Sequence, residues 1–358
     1  MQVAAVIPTL TALPSLTFTP TATFAPTPTA SSTPTPTSTP TLTPTPIRPL
    51  PELYVDGAYI KRRDTAESVQ LKGVHIANFD NADQPTLTST KRYIDIAKTW
   101  GANLLRIGLD MTKADRNMDE LSKVLDYAET NGMYSVLTVA NNNQNPITIP
   151  NDGLVNFMAS LARRFKQKNN ILYGLLNEPS SVKVGNRVTQ KFDWDEWLPW
   201  ANKIAGSILS ENSRAVLIMC GTHYCRDYDY LRGNPGVFPY KNVIYDVHYY
   251  YWWNQSLQQD TTPATSQWDW MLGKVPTFFG EAGTPGGGGG RNDPNDAVFI
   301  EYTLQIIRRN PKSAHYTGFE MAPGNWGTSL LSPNGSPSKR GHLYHDDMAA
   351  FPPTDFSK

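Results

Sequence analysis

ILYGLLNEP, residues 171–179, is a short apolar run that ends in an amide, a carboxylate and a proline. A run of this length with Pro179 at its exit predicts a strand buried on both faces. A carboxylate at the end of such a strand must be paired with another group or have a shifted pKa, because burying an unpaired charge costs several kcal/mol. A second segment, VPTFFGEAG at 275–283, repeats the design with Glu281 at the strand end. Glu178 and Glu281 are therefore a candidate acid/base pair.

Outside these two segments the sequence alternates strand-like apolar runs with amphipathic helical patterns, which predicts βα units and a parallel sheet. Eight strands are predicted, at 71–77, 103–109, 134–140, 171–176, 215–220, 243–247, 277–280 and 316–321. Five helices are predicted between them, at 90–100, 118–130, 154–168, 194–210 and 296–309. No phosphate-binding glycine motif follows the first strand, and the five-glycine run at 286–290 lacks the lysine of a P-loop. The fold class predicted is therefore a closed (β/α)8 TIM barrel.

The carboxyl ends of the strands of such a barrel converge on one mouth, where barrel enzymes keep their active sites. Polar residues that follow different strands are therefore predicted to be neighbours. Strand by strand they are His75 with Asn78, Arg106, residues 141–143, Asn177 with Glu178, His223, His248 with Tyr250, Glu281 and Trp326.

Two facing carboxylates without metal-ligand spacing suit glycoside hydrolysis, in which one protonates the leaving oxygen and the other attacks or activates water. Asn177 is placed to hydrogen-bond a sugar 2-hydroxyl, and His248 to orient the acid. Arg106 can keep Glu281 ionised, and Tyr250 can donate to the same carboxylate. His75 is a candidate supporting residue or a satisfied core histidine. No metal and no cofactor are predicted.

LLNEP at 175–179, HYY at 248–250 and FGE at 279–281 together resemble glycoside hydrolase family 5, the cellulase-like retaining β-glycanases with a (β/α)8 fold. The resemblance extends from about Leu71 to Trp326. It implies Glu178 as the general acid/base, Glu281 as the nucleophile and Asn177 as a 2-hydroxyl ligand, with the other mouth residues in support. A retaining mechanism requires the two carboxyl groups to lie roughly 5 to 5.5 Å apart.

Two positions depart from the family pattern. Many members carry a histidine after the third strand, where this chain has Asn141-Asn142-Asn143, so no catalytic role is assigned there. The segment GFEM at 318–321 lacks the tryptophan usual at the eighth strand, and the nearest candidate for the aromatic platform is Trp326. Aromatic residues are dense at 249–253, with Trp268 and Trp270, and predict both core and a strip on which sugar rings stack.

Residues 1–50 are mostly Thr, Pro, Ser and Ala, with no charged residue before Arg48. This composition predicts a disordered linker or stalk, followed by one catalytic domain over 51–358. Residues 1–16 lack a basic stretch and contain two prolines, so a signal peptide is not evident. A Thr/Pro stalk nonetheless favours an extracellular location, secreted or at the cell surface.

The chain has 32 basic and 32 acidic residues, which are interspersed. This balance argues against nucleic acid and anionic lipid as partners, and no apolar run is long enough to span a bilayer. The predicted partner is a β-glycan polysaccharide or oligosaccharide, bound by a monomer. The two cysteines, Cys220 and Cys225, are compatible with a disulfide, with free thiols or, with His223, with a metal site.

The leading functional prediction is an endo-β-1,4-glucanase. An endo-β-mannanase, or an enzyme for xyloglucan or β-1,3-glucan, would use the same residues, as would a transglycosylase. The alternative of another class is a non-catalytic carbohydrate-binding surface protein built on the same barrel.

Overall fold

The computed structural model describes residues 49–76, 87–111, 114–140, 150–179, 183–184, 187–188, 193–234, 236–250, 268–284, 294–322 and 328–356. The predicted linker therefore lies outside the described residues except for its last two. Leu50, the last of them, is buried against Leu53 and Ile60.

The strands are β1 (Leu53–Asp56), β2 (Tyr59–Arg62), β3 (Lys72–Ile76), β4 (Leu104–Leu109), β5 (Tyr134–Val139), β6 (Ile171–Gly174), β7 (Lys183–Val184), β8 (Arg187–Val188), β9 (Val216–Cys220), β10 (Val243–Tyr250), β11 (Thr277–Gly283) and β12 (Ala314–Gly318). The helices are α1 (Leu87–Thr99), α2 (Ala114–Thr130), α3 (Asp152–Phe165), α4 (Trp194–Glu211), α5 (Thr222–Cys225), α6 (Asp229–Gly233), α7 (Pro294–Arg309) and α8 (Lys339–Ala350).

Eight of the strands close into a barrel in the order β10, β11, β12, β3, β4, β5, β6, β9. Every neighbouring pair in it is parallel. The predicted TIM barrel is confirmed. Because the strands are parallel, their carboxyl ends all open at one end, which becomes the mouth.

Alternate strand residues divide between two cores, as the two-residue period of a strand requires. Leu104, Val136, Leu172 and Ile244 fill the barrel interior. Their sequence neighbours face outward, where they pack against the helices. Two residues further along each strand, the next inward-facing side chain reaches the mouth. On β4 this residue is Arg106.

The antiparallel hairpin β1–β2 covers the amino-terminal end of the barrel. Leu53 and Ile60 are 3% and 0% exposed and belong to the interior cluster of the barrel. The sequence prediction misses this hairpin, although Asp56-Gly57 is a hairpin turn signal and Gly57 has the positive φ, 59°, that such a turn requires. It seals the end of the barrel away from the mouth.

α3 illustrates how the outer helices attach. Asn151 caps the helix, and its side chain accepts a hydrogen bond of 3.0 Å from the backbone N–H of Leu154. Leu154, Met158 and Leu161 follow at helical spacing and are buried against the barrel and α4. Such an apolar stripe is what fixes a helix on a sheet.

α8, which was not predicted, ties the end of the chain to the first barrel strand. Asp347 on this helix forms a 2.9 Å ion pair with Lys72 of β3 and accepts a 2.8 Å hydrogen bond from the Tyr316 hydroxyl of β12. Both charged side chains are 1% exposed. Arg308 of α7 contributes a second cation at 2.7 Å, so the buried carboxylate is fully satisfied.

The strands differ from the predicted bounds mainly at their ends. β12 begins two residues earlier than predicted and ends at Gly318, because 314–316 pair with β11 and 316–318 pair with β3. β10 runs on to Tyr250, because it stays paired with β11 as far as Gly283. Among the described helices, none combines the length and apolarity needed to cross a membrane.

Candidate active site

Arg106 lies at the centre of the mouth and is 1% exposed. Its Nη1 donates to Oε1 of Glu281 at 2.8 Å, and its Nη2 donates to the side-chain oxygen of Asn177. Nη2 also lies 3.3 Å from a carboxylate oxygen of Asp246. The planar guanidinium thus joins β4 to β10, β11 and the loop after β6. Its several donors have a fixed planar arrangement, which the single ammonium of a lysine could not reproduce.

Glu281 is held as a carboxylate by donors on both oxygens. Arg106 occupies Oε1, and the hydroxyl of Tyr250 donates to Oε2 at 2.7 Å. Burial acts to raise the pKa of Glu281, but the charges of His248 and Arg106 outweigh it and lower the pKa to about 2. Burial and the Glu281 charge raise the pKa of Tyr250 well above its ordinary value, so the phenol stays a donor.

A register shift between β10 and β11 aims Glu281 into the mouth. Asp246 pairs with Phe278, but His248 pairs with Glu281, so β11 carries one extra residue. Phe278 faces the barrel interior, and strict alternation would send Glu281 outward; the bulge reverses this. Gly280 sits at the bulge, where an added Cβ would lie 2.3 Å from Oδ1 of Asp246.

Asp246 and His248 form a buried pair on the inward face of β10. Asp246 Oδ1 accepts the backbone N–H of Gly280 at 3.0 Å, and Oδ2 lies 3.4 Å from Nε2 of His248. Burial opposes the charge on His248, yet the carboxylates of Glu281 and Asp246 raise its pKa to about 10. The raised pKa favours the imidazolium at neutral pH. Nδ1 lies 3.8 Å from Oε2 of Glu281, whereas Nε2 lies between Asp246 and Nη2 of Arg106, which is 3.2 Å away.

Glu178 reaches the site from the loop after β6. Its backbone is left-handed, with φ of 44°, a strained conformation for a residue with a side chain. Oε1 accepts a hydrogen bond of 2.7 Å from Nδ1 of His248. A carboxylate oxygen of Glu178 lies within 4.8 Å of one of Glu281, and the Glu178 side chain is 25% exposed.

His75 of β3 completes the wall of the mouth. Burial and the neighbouring Arg106 charge hold the pKa of His75 well below its ordinary value, so the ring is neutral. Its Nδ1 therefore accepts from Arg106 Nη1, 2.9 Å away. The ring packs against Phe319 with 4.9 Å between centroids.

The structure brings together seven of the eight predicted site residues: His75, Arg106, Asn177, Glu178, His248, Tyr250 and Glu281. Trp326, the eighth, lies outside the described residues, as do residues 141–143. Phe319, which was not assigned a role, is the aromatic residue that follows β12 at the mouth.

Asp246 is the residue that sequence reasoning missed. The signal was present, because Asp246, His248 and Tyr250 are spaced by two and must share one face of a strand. Two of the aromatic residues for which both core and a sugar-stacking strip were predicted belong to the core. Tyr249 and Trp268 are 3% and 0% exposed and pack edge to face at 4.9 Å.

Cys220 and Cys225 form a disulfide, with 4.7 Å between their Cα atoms. Of the three alternatives for these cysteines, the structure therefore has the first, and neither sulfur is a thiolate ligand. The bridge closes α5, in which His223, Tyr224 and Cys225 all have left-handed φ, between 53° and 61°.

A parallel eight-stranded barrel with two carboxylates at its mouth is the arrangement of the (β/α)8 glycosidases. A profile of the family Cellulase (glycosyl hydrolase family 5) matches residues 63–325, and the chain belongs to this family.

Three relatives illustrate the likeness. Endoglucanase A of Butyrivibrio fibrisolvens is 23% identical over 213 residues, which are 56% of this chain and 45% of that protein, so the chain spans less than half of it. The catalytic domain of Thermobifida fusca endoglucanase Cel5A has a TM-score of 0.66 at 16% identity, covering 83% of this chain and 97% of that one. The β-glucanase SdGluc5_26A of Saccharophagus degradans, in complex with cellotetraose, has a TM-score of 0.66 at 16% identity, covering 85% and 94%. At such identities the structural likeness shows the fold alone.

Proposed function

We propose that this protein is a retaining endo-β-1,4-glucanase in which Glu281 is the nucleophile and Glu178 the general acid/base. The observation that carries the proposal is the short separation of the two glutamates, whose carboxylate oxygens approach within 4.8 Å. Retaining glycosidases hold their carboxyl groups about 5 to 5.5 Å apart, whereas inverting ones need about 6.5 to 9.5 Å to admit a water molecule.

The surroundings divide the two roles. Glu281 is buried and ionised, with Arg106 and Tyr250 fixing its oxygens, as a nucleophile requires. Glu178 is partly exposed, which lets it exchange protons with solvent between the two steps.

In the first step Glu281 attacks the anomeric carbon while Glu178 protonates the departing glycosidic oxygen, leaving a glycosyl-enzyme ester. In the second step Glu178 takes a proton from water, which displaces Glu281 from the sugar. Asn177, fixed by Arg106, is placed to hold the 2-hydroxyl next to the reacting carbon. The imidazolium of His248 orients the Glu178 carboxyl group.

The choice of β-1,4-glucan rests on the relatives, which include endoglucanases and a β-glucanase with bound cellotetraose. Mannan, xyloglucan and β-1,3-glucan remain the alternatives within the family. We further propose that the protein acts as an extracellular monomer, without a cofactor, with residues 1–50 serving as a linker to the domain at 51–358.

The proposal is tested by hydrolysis of a panel of soluble β-glycans, with the anomer of the first product followed by NMR. We expect β-1,4-glucan to be cleaved internally and the β-anomer to appear first. Glu178→Ala and Glu281→Ala should each lose activity by ~1000-fold or more while keeping the folded barrel. Glu281→Ala should also lose some stability, because the buried Arg106 loses an ion-pair partner. Glu211→Gln, which removes a surface carboxylate far from the mouth, is the matched control and should keep full activity.

Appearance of the α-anomer first would overturn the retaining mechanism. Near-native activity in either Ala variant would overturn the assignment of roles. Binding of glycans with no product from any of them would instead favour the non-catalytic carbohydrate-binding protein.

A further inference from the structure

The Cys220–Cys225 disulfide lies directly against the charged centre of the site. Cys220 is the register partner of Asp246 across β9 and β10. The Cys225 sulfur lies within 4.8 Å of both a carboxylate oxygen of Asp246 and a ring nitrogen of His248. Cys225 and His248 are both 0% exposed, so no bulk water separates the sulfur from the imidazolium.

Hydrogen bonds fasten the same turn to the strand that carries Asp246. The hydroxyl of Tyr228 accepts the backbone N–H of Gly221 at 2.8 Å and contacts the backbone carbonyl of Asp246. The indole N–H of Trp197 donates to the carbonyl of Cys220 at 2.8 Å. The disulfide thus belongs to a rigid, buried connection between β9, α5 and β10.

The turn itself is costly. Three consecutive residues with side chains, His223 to Cys225, have left-handed φ, which L-amino acids disfavour. With the turn in this conformation the Cys225 sulfur lies within 4.8 Å of an Asp246 carboxylate oxygen.

We propose that the Cys220–Cys225 disulfide is a positioning element of the active site, which sets an uncharged, proton-free sulfur against Asp246 and His248. The inference rests on the proposed function, because it assigns the disulfide a role in orienting His248 toward Glu178. A sulfur locked in a disulfide can neither donate a proton to Asp246 nor ionise beside the imidazolium. The hydrogen bond between Nδ1 of His248 and Glu178 then has no competing thiolate beside it.

A free thiol at the same place would behave differently. The His248 ring also faces Arg106 at 3.2 Å, Asp246 at 3.4 Å and Glu281 at 3.8 Å. The positive charges of Arg106 and His248 favour ionisation of a thiol at Cys225, against the opposing charge of Asp246. A thiolate formed there would compete with Glu178 for the His248 proton. The acid/base residue would then lose the partner that orients it. A displacement of about 1 Å in such a group can cost ~100-fold in rate.

The test compares two single variants that remove the same cross-link. Cys220→Ala leaves Cys225 as a thiol against Asp246 and His248, whereas Cys225→Ala removes that sulfur altogether. Both lose the stabilisation of the bridge, so their unfolding temperatures should fall similarly. In Cys220→Ala we expect kcat to fall ~10-fold or more with KM little changed, and the pH profile to gain an ionisation near neutrality. Cys225→Ala also loses the bridge, so its kcat should fall too, but its pH profile should gain no such ionisation because no thiol lies at the Cys225 position.

An NMR titration of the His248 imidazole gives a readout that does not depend on turnover. The His248 pKa should differ between Cys220→Ala and the wild type by more than between Cys225→Ala and the wild type. Identical His248 titrations and pH profiles in all three proteins would overturn the inference and leave the bridge a purely structural brace. If the wild type cleaved no glycan, the proposed function would fail, while the titration would still decide whether the disulfide tunes His248.

Discussion

Each oxygen of the Glu281 carboxylate has its own donor, and the two donors come from different strands. Arg106 on β4 holds Oε1, and Tyr250 on β10 holds Oε2. Both donors favour the ionised form, because a hydrogen bond or a positive charge stabilises a carboxylate more than a carboxylic acid. The ionisation of Glu281, on which its proposed role as nucleophile depends, is therefore set by its neighbours.

Tyr250→Phe tests this at the scale of one hydroxyl group. A hydrogen bond to a charged group contributes about 1.5–3 kcal/mol, so kcat/KM should fall by roughly 10- to 100-fold. Without the donor the Glu281 pKa rises, so the acid limb of the kcat/KM profile should move to higher pH.

Tyr249→Phe is the matched control, because it removes a neighbouring buried hydroxyl that has no hydrogen-bond partner among the described residues. It should change neither the rate nor the profile. An unshifted acid limb in Tyr250→Phe would mean that Arg106 alone keeps Glu281 ionised.

At the scale of the strand, the bulge in β11 decides which side chain enters the mouth. Gly280 is required at the bulge because a side chain there would collide with the Asp246 carboxylate. Its backbone angles do not require glycine. Gly280→Ala must push Asp246 or β11 aside, which we expect to destabilise the fold by roughly 1–3 kcal/mol and to lower kcat by ~10-fold or more.

Gly233→Ala is the control for a glycine-to-alanine change, since its added Cβ would meet nothing within 4 Å. Thermal unfolding and initial rates on a soluble glucan distinguish the two variants. Equal, near-native behaviour of both would show that β11 relaxes freely and that the bulge does not control the aim of Glu281.

The bulge also shows where prediction from the sequence stops. Strand and helix periods, with polar residues after apolar runs, were enough to predict the barrel and to place seven site residues at its mouth. The same alternation applied to β11 would have turned Glu281 outward; its position was recovered from its place at a strand end and from the family resemblance. The β1–β2 hairpin and α8 carry weak periodic signals, because their burial depends on partners far away in the chain.

At the scale of the whole molecule, a buried cluster of charges joins β3, the first strand of the barrel, to α8. Lys72 and Asp347 are paired out of contact with water, and burial lowers the pKa of Lys72 despite its partner. Removing one partner of such a pair leaves an uncompensated charge.

Asp347→Asn should therefore lower the free energy of unfolding by roughly 3–5 kcal/mol, as measured by urea denaturation. Activity at low temperature should persist, because Lys72 begins β3 at the end of the barrel opposite the mouth. Asp346→Asn, whose side chain is 70% exposed, is the neighbouring control and should unfold like the wild type. A loss of activity without loss of stability in Asp347→Asn would show that this cluster is coupled to the site.

Tyr134, at the sealed end of the barrel, contacts both extremes of the folded region. Its hydroxyl donates to the carbonyl of Pro51, and its ring packs edge to face on Phe356 with 4.9 Å between centroids. Tyr134 thus brings the two ends of the folded region together, and hydrogen bonds from Gln70 and Asn103 to Thr354 hold the same end of the chain. A circular permutant that joins residue 356 to residue 51 by a few glycines, and opens instead at exposed Gly233, should retain the barrel and its mouth.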